Sequence, residues 1–228
     1  MKFIQYYSSS RGNLYEVVAE NGKRLLLECG ISWRKLRRSL DYDLSNIVGC
    51  LLTHEHQDHC KAIEDVMQAG IDVYASKGTF DALDIIDNRK AKIIEDRILT
   101  RCQEFDIFSF SLEHDAKEPL GFIIREKDIQ EHLLFVPDTS YITPRFATAF
   151  DIIAIECSYD RDILHERVDL NSINETVAKR LLTSHMEKRT TMRYLAEFCD
   201  LDFGVIELVE QRGKNGGFWH ALLEHAAD

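Results

Sequence analysis

The pattern of apolar and polar positions in the first half of the chain predicts short strands followed by amphipathic helices. Asn21-Gly22 separates two strand-like segments and suits the tight turn of a hairpin, because both residue types tolerate positive φ angles. Ser32 is a favourable N-cap for a helix on which Trp33, Leu36 and Leu40 share one face. The segments of strand character are 3–7, 14–19, 24–28, 47–52 and 73–75. Those of helical character are 32–40, 60–69 and 79–86, and Gly70 ends the second of them.

The second half of the chain repeats this succession of strands and helices. Strands are predicted over 105–112, 121–125, 132–136, 152–156 and 203–209. Helices are predicted over 173–182 and 190–199. Strands followed by strand–helix alternation in each half suit two packed sheets with helices outside, although periodicity by itself indicates only the α/β class. Because no Pro-, Ser- or Gly-rich linker interrupts the chain, we expect a single domain over 1–228.

The composition changes this picture little. A hydrophobic fraction of 45% is sufficient for a sizeable core. The start of the chain turns polar at Ser8, too early for a signal peptide, and no apolar run approaches the ~18 residues of a membrane span. None of the six cysteines forms Cys-x-x-Cys, so we interpret them as reduced and mostly buried, Cys60 included, in a cytoplasmic protein with no membrane partner.

The charge distribution bears on the substrate. A net charge of −11 opposes nonspecific binding of nucleic acid through a general positive field. Two local clusters of basic residues are exceptions to this acidic character, and each is either a solvated helix face or a phosphate contact. The first cluster is Arg34, Lys35, Arg37 and Arg38 on the predicted helix, and the second is Arg89, Lys90 and Lys92 with Arg97 and Arg101 nearby.

The segment directly after the apolar run 47–52 carries candidate metal chemistry. It reads Thr-His-Glu-His-Gln-Asp-His from Thr53 to His59, and its potential metal ligands are His54, His56, Asp58 and His59. Imidazole and carboxylate hold zinc, manganese or iron while leaving coordination positions open for water. A strand that ends in such a cluster brings these side chains around one point, so we predict a metal site here.

The pattern His-x-His-x-Asp-His after a hydrophobic strand resembles the central metal-binding motif of the metallo-β-lactamase superfamily. The resemblance extends over residues 2 to 210 and implies an αββα sandwich. His114 resembles the family's third His, Asp138 the carboxylate that bridges two metals, and His185 the final His. The resemblance then implies two divalent metal ions, zinc or manganese. His54, His56 and His114 would hold one of them, Asp58, His59 and His185 the second, and Asp138 would join them.

A narrower resemblance is to the YycJ/WalJ-like branch, which is related to ribonuclease Z and regarded as nuclease-like. The residues that carry it are the loop 8–13, His114-Asp115-Ala116 and the segment 156–160. Three departures concern the substrate rather than the metals. Arg11 replaces a small residue, Glu28 stands where the superfamily usually has Asp, and the segment 156–160 lacks its Asn. We interpret Glu28 as a supporting carboxylate rather than a ligand.

Further site residues are expected beside the metal ligands. Asp58 and Glu156 are candidate catalytic residues, Glu156 as a proton relay. His165 is a candidate for protonating the leaving group, as is His220, although no spacing connects either to the motif. The loop 8–13 could cradle a phosphate on backbone N–H groups or could only support packing. Its candidate substrate-binding residues are Ser9, Ser10, Arg11 and Asn13.

The expected function is hydrolysis of phosphodiester bonds in nucleic acid, exonuclease-like, by a metal-bridging hydroxide. The alternative is a phosphodiesterase for small or cyclic nucleotides, which the acidic composition favours. Hydrolysis of a thioester or a β-lactam is a third hypothesis. Many β-lactamases have a Cys ligand at the position of Asp138, and its absence here argues against that activity. A binding protein without activity is a fourth, opposed by the complete set of predicted ligands. The sequence leaves open the metal, the general acid and whether the chain forms a homodimer.

Overall fold

The computed structural model describes residues 1–85, 87–146, 148–198, 205–213 and 216–224, with side chains up to residue 197. The chain divides into two compact units. The first contains Met1–Ser111 and Ala116–Glu131, and the second contains Leu112–Asp115 and His132–Asp228. Each unit combines strands with helices, so the α/β class is confirmed. The expectation of one domain over the whole chain stays a prediction.

The first unit contains a six-stranded sheet whose strands lie in chain order. Its strands are β1 (Lys2–Tyr7), β2 (Leu14–Val18), β3 (Arg24–Leu27), β4 (Ile47–Leu51), β5 (Val73–Ala75) and β6 (Ala91–Ile93). The pairs β1–β2 and β2–β3 are antiparallel, and the pairs from β3 to β6 are parallel. The predicted hairpin turn is present, with Gly22 at a φ of +80°. The parallel order of β3, β4 and β5 places their C-terminal ends along one edge of the sheet.

Four short helices accompany this sheet, namely α1 (Trp33–Ser39), α2 (Gln57–Cys60), α3 (Ile63–Gln68) and α4 (Lys77–Ala82). The single helix predicted over 60–69 is therefore wrong. The helical path breaks at Ala62, whose N–H donates instead to the carbonyl of Cys29 at 2.9 Å. The α4 helix begins earlier than predicted because Ser76 Oγ accepts from the N–H of Thr79 at 3.0 Å and caps it.

The core of the first unit lies between the sheet and these helices. Buried residues from β3, β4, β5, α1 and α3 form one cluster, which includes Leu26, Leu36, Cys50, Val66 and Val73. The unit also contains the antiparallel strands β7 (Leu99–Cys102), β8 (Phe105–Ser111) and β9 (Leu120–Glu126). The apolar pattern missed β6 and β7, because both are short and carry exposed or half-buried polar side chains.

The second unit contains a sheet in the order β12–β13–β11–β10. Its strands are β10 (His132–Val136), β11 (Ile152–Cys157), β12 (Val205–Gly213) and β13 (Gly216–Glu224). Strands β10 and β11 are parallel, whereas β13 runs antiparallel to β11 and β12. Its helices are α5 (Arg161–Asp169), α6 (Glu175–Ser184) and α7 (Lys188–Phe198). The pattern missed α5 because only Leu164 of that helix is buried.

The cysteines agree with the expectation from composition. The five cysteines among the described residues are free and buried, as predicted; Cys199 lies outside those residues. No helix in the described part of the chain has the length and apolar character needed to cross a membrane.

Candidate metal centre

The His-rich loop of the first unit follows β4 directly and continues into α2. It brings three imidazoles into contact, with ring centroids of His54 and His59 4.1 Å apart and those of His54 and His56 4.5 Å apart. His54 Nε2 lies 3.0 Å from His56 Nδ1, and Asp58 Oδ2 lies 3.8 Å from His59 Nε2. The four predicted ligands of the motif therefore lie together, as the sequence indicated.

Two buried residues, Glu28 and Thr53, orient these imidazoles. Thr53 Oγ1 donates to Glu28 Oε1 at 2.6 Å and lies 2.9 Å from His54 Nδ1. Because the Thr53 proton is committed to the carboxylate, Thr53 accepts from His54 Nδ1–H, which leaves His54 Nε2 with its lone pair. The same Glu28 oxygen lies 3.5 Å from His59 Nδ1. Glu28 therefore supports the loop, as interpreted from the sequence, whereas the part played by Thr53 was missed.

Backbone contacts fix the position of the loop. The carbonyl of Asp58 accepts from the backbone N–H of Asn13 at 2.8 Å and from Asn13 Nδ2 at 3.1 Å. The N–H of Cys29 donates to the carbonyl of His59 at 2.8 Å. Gly30 approaches so closely that a Cβ built on it would lie 1.6 Å from the Asp58 carbonyl oxygen. Asn13 and the segment 28–30 thus hold Asp58 and His59 in place.

Cys60 does not behave as a further ligand in this loop. Its side chain is 1% exposed and belongs to the core, and its Sγ donates to the carbonyl of Glu55 at 3.0 Å. Burial raises the pKa of the Cys60 thiol to about 12, which keeps it protonated at neutral pH. Because a metal binds the thiolate, these observations agree with the interpretation of Cys60 as an inward-packed residue.

The second unit contains its own group of donors, formed by His114, Asp138 and His185. Each offers a ligand atom, and these atoms all lie within 4.8 Å of one another. His114 follows β8 along the chain, Asp138 follows β10, and His185 is the C-cap of α6. His114 Nε2 lies 3.8 Å from Asp138 Oδ2, and the rings of His114 and His185 lie 5.2 Å apart. Two imidazoles and one carboxylate at this spacing suit zinc or another divalent transition metal.

Protein acceptors orient both histidines of this group through Nδ1. His114 Nδ1 lies 2.8 Å from the carbonyl oxygen of Ser184, and His185 Nδ1 lies 2.5 Å from Glu156 Oε1. Since a carbonyl or carboxylate oxygen can only accept, each Nδ1 carries a proton, so Nε2 is the nitrogen that a metal would bind when the ring is neutral. Burial lowers the pKa of His114 and so favours the neutral ring that a metal requires.

Glu156 lies at the end of β11 and is fully buried. Its Oε1 accepts from Ser158 Oγ and from His185, and its Oε2 accepts from the N–H of Thr139 at 2.5 Å. Burial raises the pKa of Glu156, although His185 opposes the rise. Burial in turn opposes the charged form of His185, but Glu156 prevails and raises the pKa of His185 to about 9. The structure thus places Glu156 where it positions His185 and the residue after Asp138.

A second carboxylate also lies beside this group. Asp115 Oδ1 is 3.2 Å from His114 Nε2, and its Oδ2 accepts from Arg180 Nε at 2.9 Å. In the sequence, Asp115 stands out only as part of a branch motif, and it was not predicted to belong to the site. Its position directly after a predicted ligand was the available signal.

The remaining predicted site residues occupy less central positions. Asn13 is 4% exposed and is used by the loop, with its Oδ1 accepting from the N–H of Ser9 at 3.1 Å. Ser10 and Arg11 are exposed on the same turn. His165 is exposed on α5, and among the described residues of this unit it is not a member of the donor group. The proposed roles of these residues stay predictions.

Comparisons with known proteins agree with this geometry. The family profile described as "Beta-lactamase superfamily domain" matches residues 23–199. Exodeoxyribonuclease YycJ of Bacillus anthracis is 27% identical over 153 residues, which span 64% of this chain and 57% of that protein. Anti-Pycsar protein Apyc1 of Bacillus phage 010DV004 is 44% identical over 46 residues, 20% of this chain and 18% of that protein. The metallo-β-lactamase fold protein YhfI from Bacillus subtilis superposes with a TM-score of 0.62 at 15% identity, covering 84% of this chain and 78% of YhfI.

Proposed function

The chain belongs to the β-lactamase superfamily, its fold is the predicted metallo-β-lactamase fold, and from this premise we propose a function. We propose that it is a binuclear metal-dependent phosphodiesterase that hydrolyses phosphodiester bonds in nucleic acid as an exonuclease. The observation that carries the proposal is the group of His114, Asp138 and His185, in which each imidazole is held through Nδ1 and leaves Nε2 for a divalent metal.

Similarity to an exodeoxyribonuclease supports nucleic acid as the substrate class. The matched region spans 57% of that relative, so its activity is only a proposal for this chain. The carboxylate of Asp138 adds a chemical reason. A hard oxygen ligand at this position suits metals that bind phosphate oxygens, whereas a thiolate would favour a softer site.

Each unit supplies donors for the proposed metals. The first unit offers His54, His56, Asp58 and His59, and the second offers His114, Asp138 and His185. Bound divalent metals, zinc or manganese, would supply a water of lowered pKa and positive charge to offset the phosphoryl oxygens.

The surrounding residues contribute orientation to the proposed metal ligands. Thr53 and Glu156 fix the Nδ1 protons of His54 and His185, so the donors are arranged before a metal arrives. Glu28 and Asn13 hold the loop that carries Asp58. Such preorganisation matters because a displacement of about 1 Å in a catalytic group can cost on the order of 100-fold in rate.

A second candidate function is hydrolysis of small or cyclic nucleotides. The net charge of −11 favours it, because a polyanion pays more than a mononucleotide to approach an acidic surface. The two functions share the same phosphodiester chemistry and differ only in what lies outside the site. Activity measured on both substrate classes therefore separates them.

The test is hydrolysis by the purified protein with Mn²⁺ or Zn²⁺. End-labelled single- and double-stranded DNA, RNA and cyclic mononucleotides are compared in parallel. Asp58→Ala and His59→Ala should each abolish hydrolysis while the circular dichroism spectrum is retained, because a lost ligand removes a metal and its activated water. Glu64→Ala, on the exposed side of α3, is the matched control and should behave as wild type. Wild-type rates in a metal-loaded Asp58→Ala or His59→Ala protein would refute the assignment of ligands.

A further inference from the structure

The helix α1 concentrates positive charge on an otherwise acidic protein. Four of its seven residues are basic, namely Arg34, Lys35, Arg37 and Arg38, and none is acidic. Arg34, Lys35 and Arg38 are exposed, and Arg37 is half-buried. The opposite face is anchored by Leu36, which is fully buried in the core. The basic side chains therefore form one outward surface on a fixed support, and we call these four residues the α1 basic face.

This face is not neutralised within the described part of the chain. None of the ion pairs found there includes a residue of the α1 basic face, whereas other arginines do pair with carboxylates. Arg24 pairs with Glu16, for example, and Arg125 with Asp106. In a protein with 39 acidic and 28 basic residues, four neighbouring cations with no carboxylate partner among the described residues are available to an anionic ligand.

Two aromatic rings hold part of the α1 basic face in position. Lys35 Nζ lies over the ring of Tyr7 at 5.9 Å from its centroid, and Arg37 Cζ lies over the ring of Trp33 at 5.4 Å. Such contacts reduce the freedom of long side chains. Tyr7 and Trp33 are themselves half-buried, so each keeps part of its ring accessible. Cations interleaved with aromatic rings are the usual composition of surfaces that bind single-stranded nucleic acid.

The α1 basic face is joined closely to the His-rich loop of the same unit. Gly30 lies against the backbone of Asp58, and its N–H donates to the carbonyl of Asn13 at 2.9 Å. The helix α1 begins three residues later, at Trp33. Three residues span at most about 11 Å, so the helix starts within that distance of the loop that supplies predicted metal ligands.

We propose that the α1 basic face binds the phosphate backbone of single-stranded nucleic acid and guides it towards the His-rich loop. The proposal rests on the proposed function and names the form of substrate that the same site receives. Seven helical residues extend about 10 Å, so the face can contact only a few consecutive phosphates. The contacts are to phosphates, so binding is independent of base sequence.

The test compares charge reversal in the two basic clusters of the first unit. Arg34→Glu with Lys35→Glu alters the α1 basic face. Arg89→Glu with Arg101→Glu produces the same change in net charge at two other exposed positions and is the matched control. Binding of a labelled 20-nucleotide single strand and of the corresponding duplex is measured by fluorescence anisotropy from 50 mM to 300 mM salt, with Ca²⁺ in place of the catalytic metal.

For the single strand, the α1 variant should bind at least about tenfold more weakly than wild type at 50 mM salt. Each lost phosphate contact removes about 0.7 from the slope of log K against log salt, so that slope should fall by about 1.4. The control should retain the affinity and slope of wild type. Equal affinities for the α1 variant and wild type would overturn the proposal, and so would equal losses in the α1 variant and the control.

Binding of the duplex as tightly as the single strand by wild type would overturn the single-strand assignment. The proposed hydrolysis is judged separately. If the wild-type protein cleaves the oligonucleotide but charge reversal on the α1 basic face does not change binding, only this inference is refuted. Specific binding without cleavage under any metal refutes the proposed function instead.

Discussion

The contact between Gly30 and Asp58 gives the sharpest prediction about how the fold supports the candidate metal centre. A Cβ at Gly30 would lie 1.6 Å from the Asp58 carbonyl oxygen, 2.1 Å from its carbonyl carbon and 2.6 Å from the His59 nitrogen. All three are backbone atoms, so no side-chain rotation relieves the overlap. We expect Gly30→Ala to displace the loop that carries Asp58 and His59.

The size of the effect follows from the same distances. Ordinary contact for a Cβ begins at 3.4 Å, so the Asp58 peptide must move by about 1.8 Å. Such a shift breaks the bonds from Asn13 N and Nδ2 to Asp58 and from Cys29 N to His59. At about 1 kcal/mol for each hydrogen bond and about 1–3 kcal/mol for overpacking, the free energy of unfolding should fall by roughly 4–6 kcal/mol. That is a large part of the stability of a typical domain, about 5–15 kcal/mol.

Urea unfolding and metal content measured on the same samples check this expectation. Gly22→Ala is the control, because Gly22 has a φ of +80° but nothing within 4 Å of an added Cβ, so only backbone strain of about 1–2 kcal/mol is expected. Asn13→Ala serves if Gly30→Ala fails to fold, since it removes the Nδ2 bond to Asp58 without an overlap. The reasoning is refuted if Gly30→Ala is as stable as Gly22→Ala and binds the same amount of metal.

Three further predictions test the metals, their support and the first unit. Elemental analysis of protein purified without chelator should approach two metal equivalents per chain, because seven predicted ligands are more than one tetrahedral site can use. A value of one equivalent that stays the same after metal is added would contradict the binuclear proposal. Glu156→Gln should weaken metal binding about 10–100-fold in a chelator competition, because an amide directs an NH₂ at Thr139 or at His185. Ser158→Ala, which removes one bond to the same carboxylate, should have a smaller effect, and equal affinities in all three proteins would argue against this role. Burial opposes the charged form of Asp106, but Arg125 and Lys127 prevail and lower the pKa of this carboxyl group in the folded protein. The ionised Asp106 therefore stabilises the fold at pH values above the pKa of the unfolded state, and this contribution is lost as the pH falls through the pKa of the folded state. Asp106→Asn should therefore flatten the fall in the free energy of unfolding between pH 7 and pH 3, whereas an unchanged slope would exclude this contribution.

The elements that the sequence predicted correctly are those whose own side chains determine them. The apolar run of β4 and the alternation of β2 and β3 are local patterns, and the structure places these strands within one residue of the predicted bounds. The break between α2 and α3 is different, because the N–H of Ala62 bonds to a carbonyl 33 positions earlier in the chain, at Cys29. No local period can reveal such a bond. A helical pattern therefore indicated one helix where tertiary contacts produce two.

The candidate site shows the same division between local and distant information. Residue types capable of binding a metal are few, so His54, His56, Asp58 and His59 could be proposed as ligands from their spacing. Their supports could not, because Glu28 and Thr53 are 25 positions apart and Glu156 and Thr139 are 17 apart. Neither pair has a sequence signature, and only folding brings each pair together.

Orientation of the imidazoles explains why those distant supports matter to function. His54, His114 and His185 each have Nδ1 beside an acceptor that differs in kind, a hydroxyl, a backbone carbonyl and a carboxylate. The common result is that Nδ1 holds a proton and Nε2 is the nitrogen left for a metal, although the three acceptors share no residue type. A ligand set can therefore be predicted from residue types, whereas the nitrogen that faces the metal depends on hydrogen-bond partners of several chemical kinds. For this reason substitutions at Thr53 and Glu156 should alter metal affinity even though neither residue belongs to the predicted ligand set.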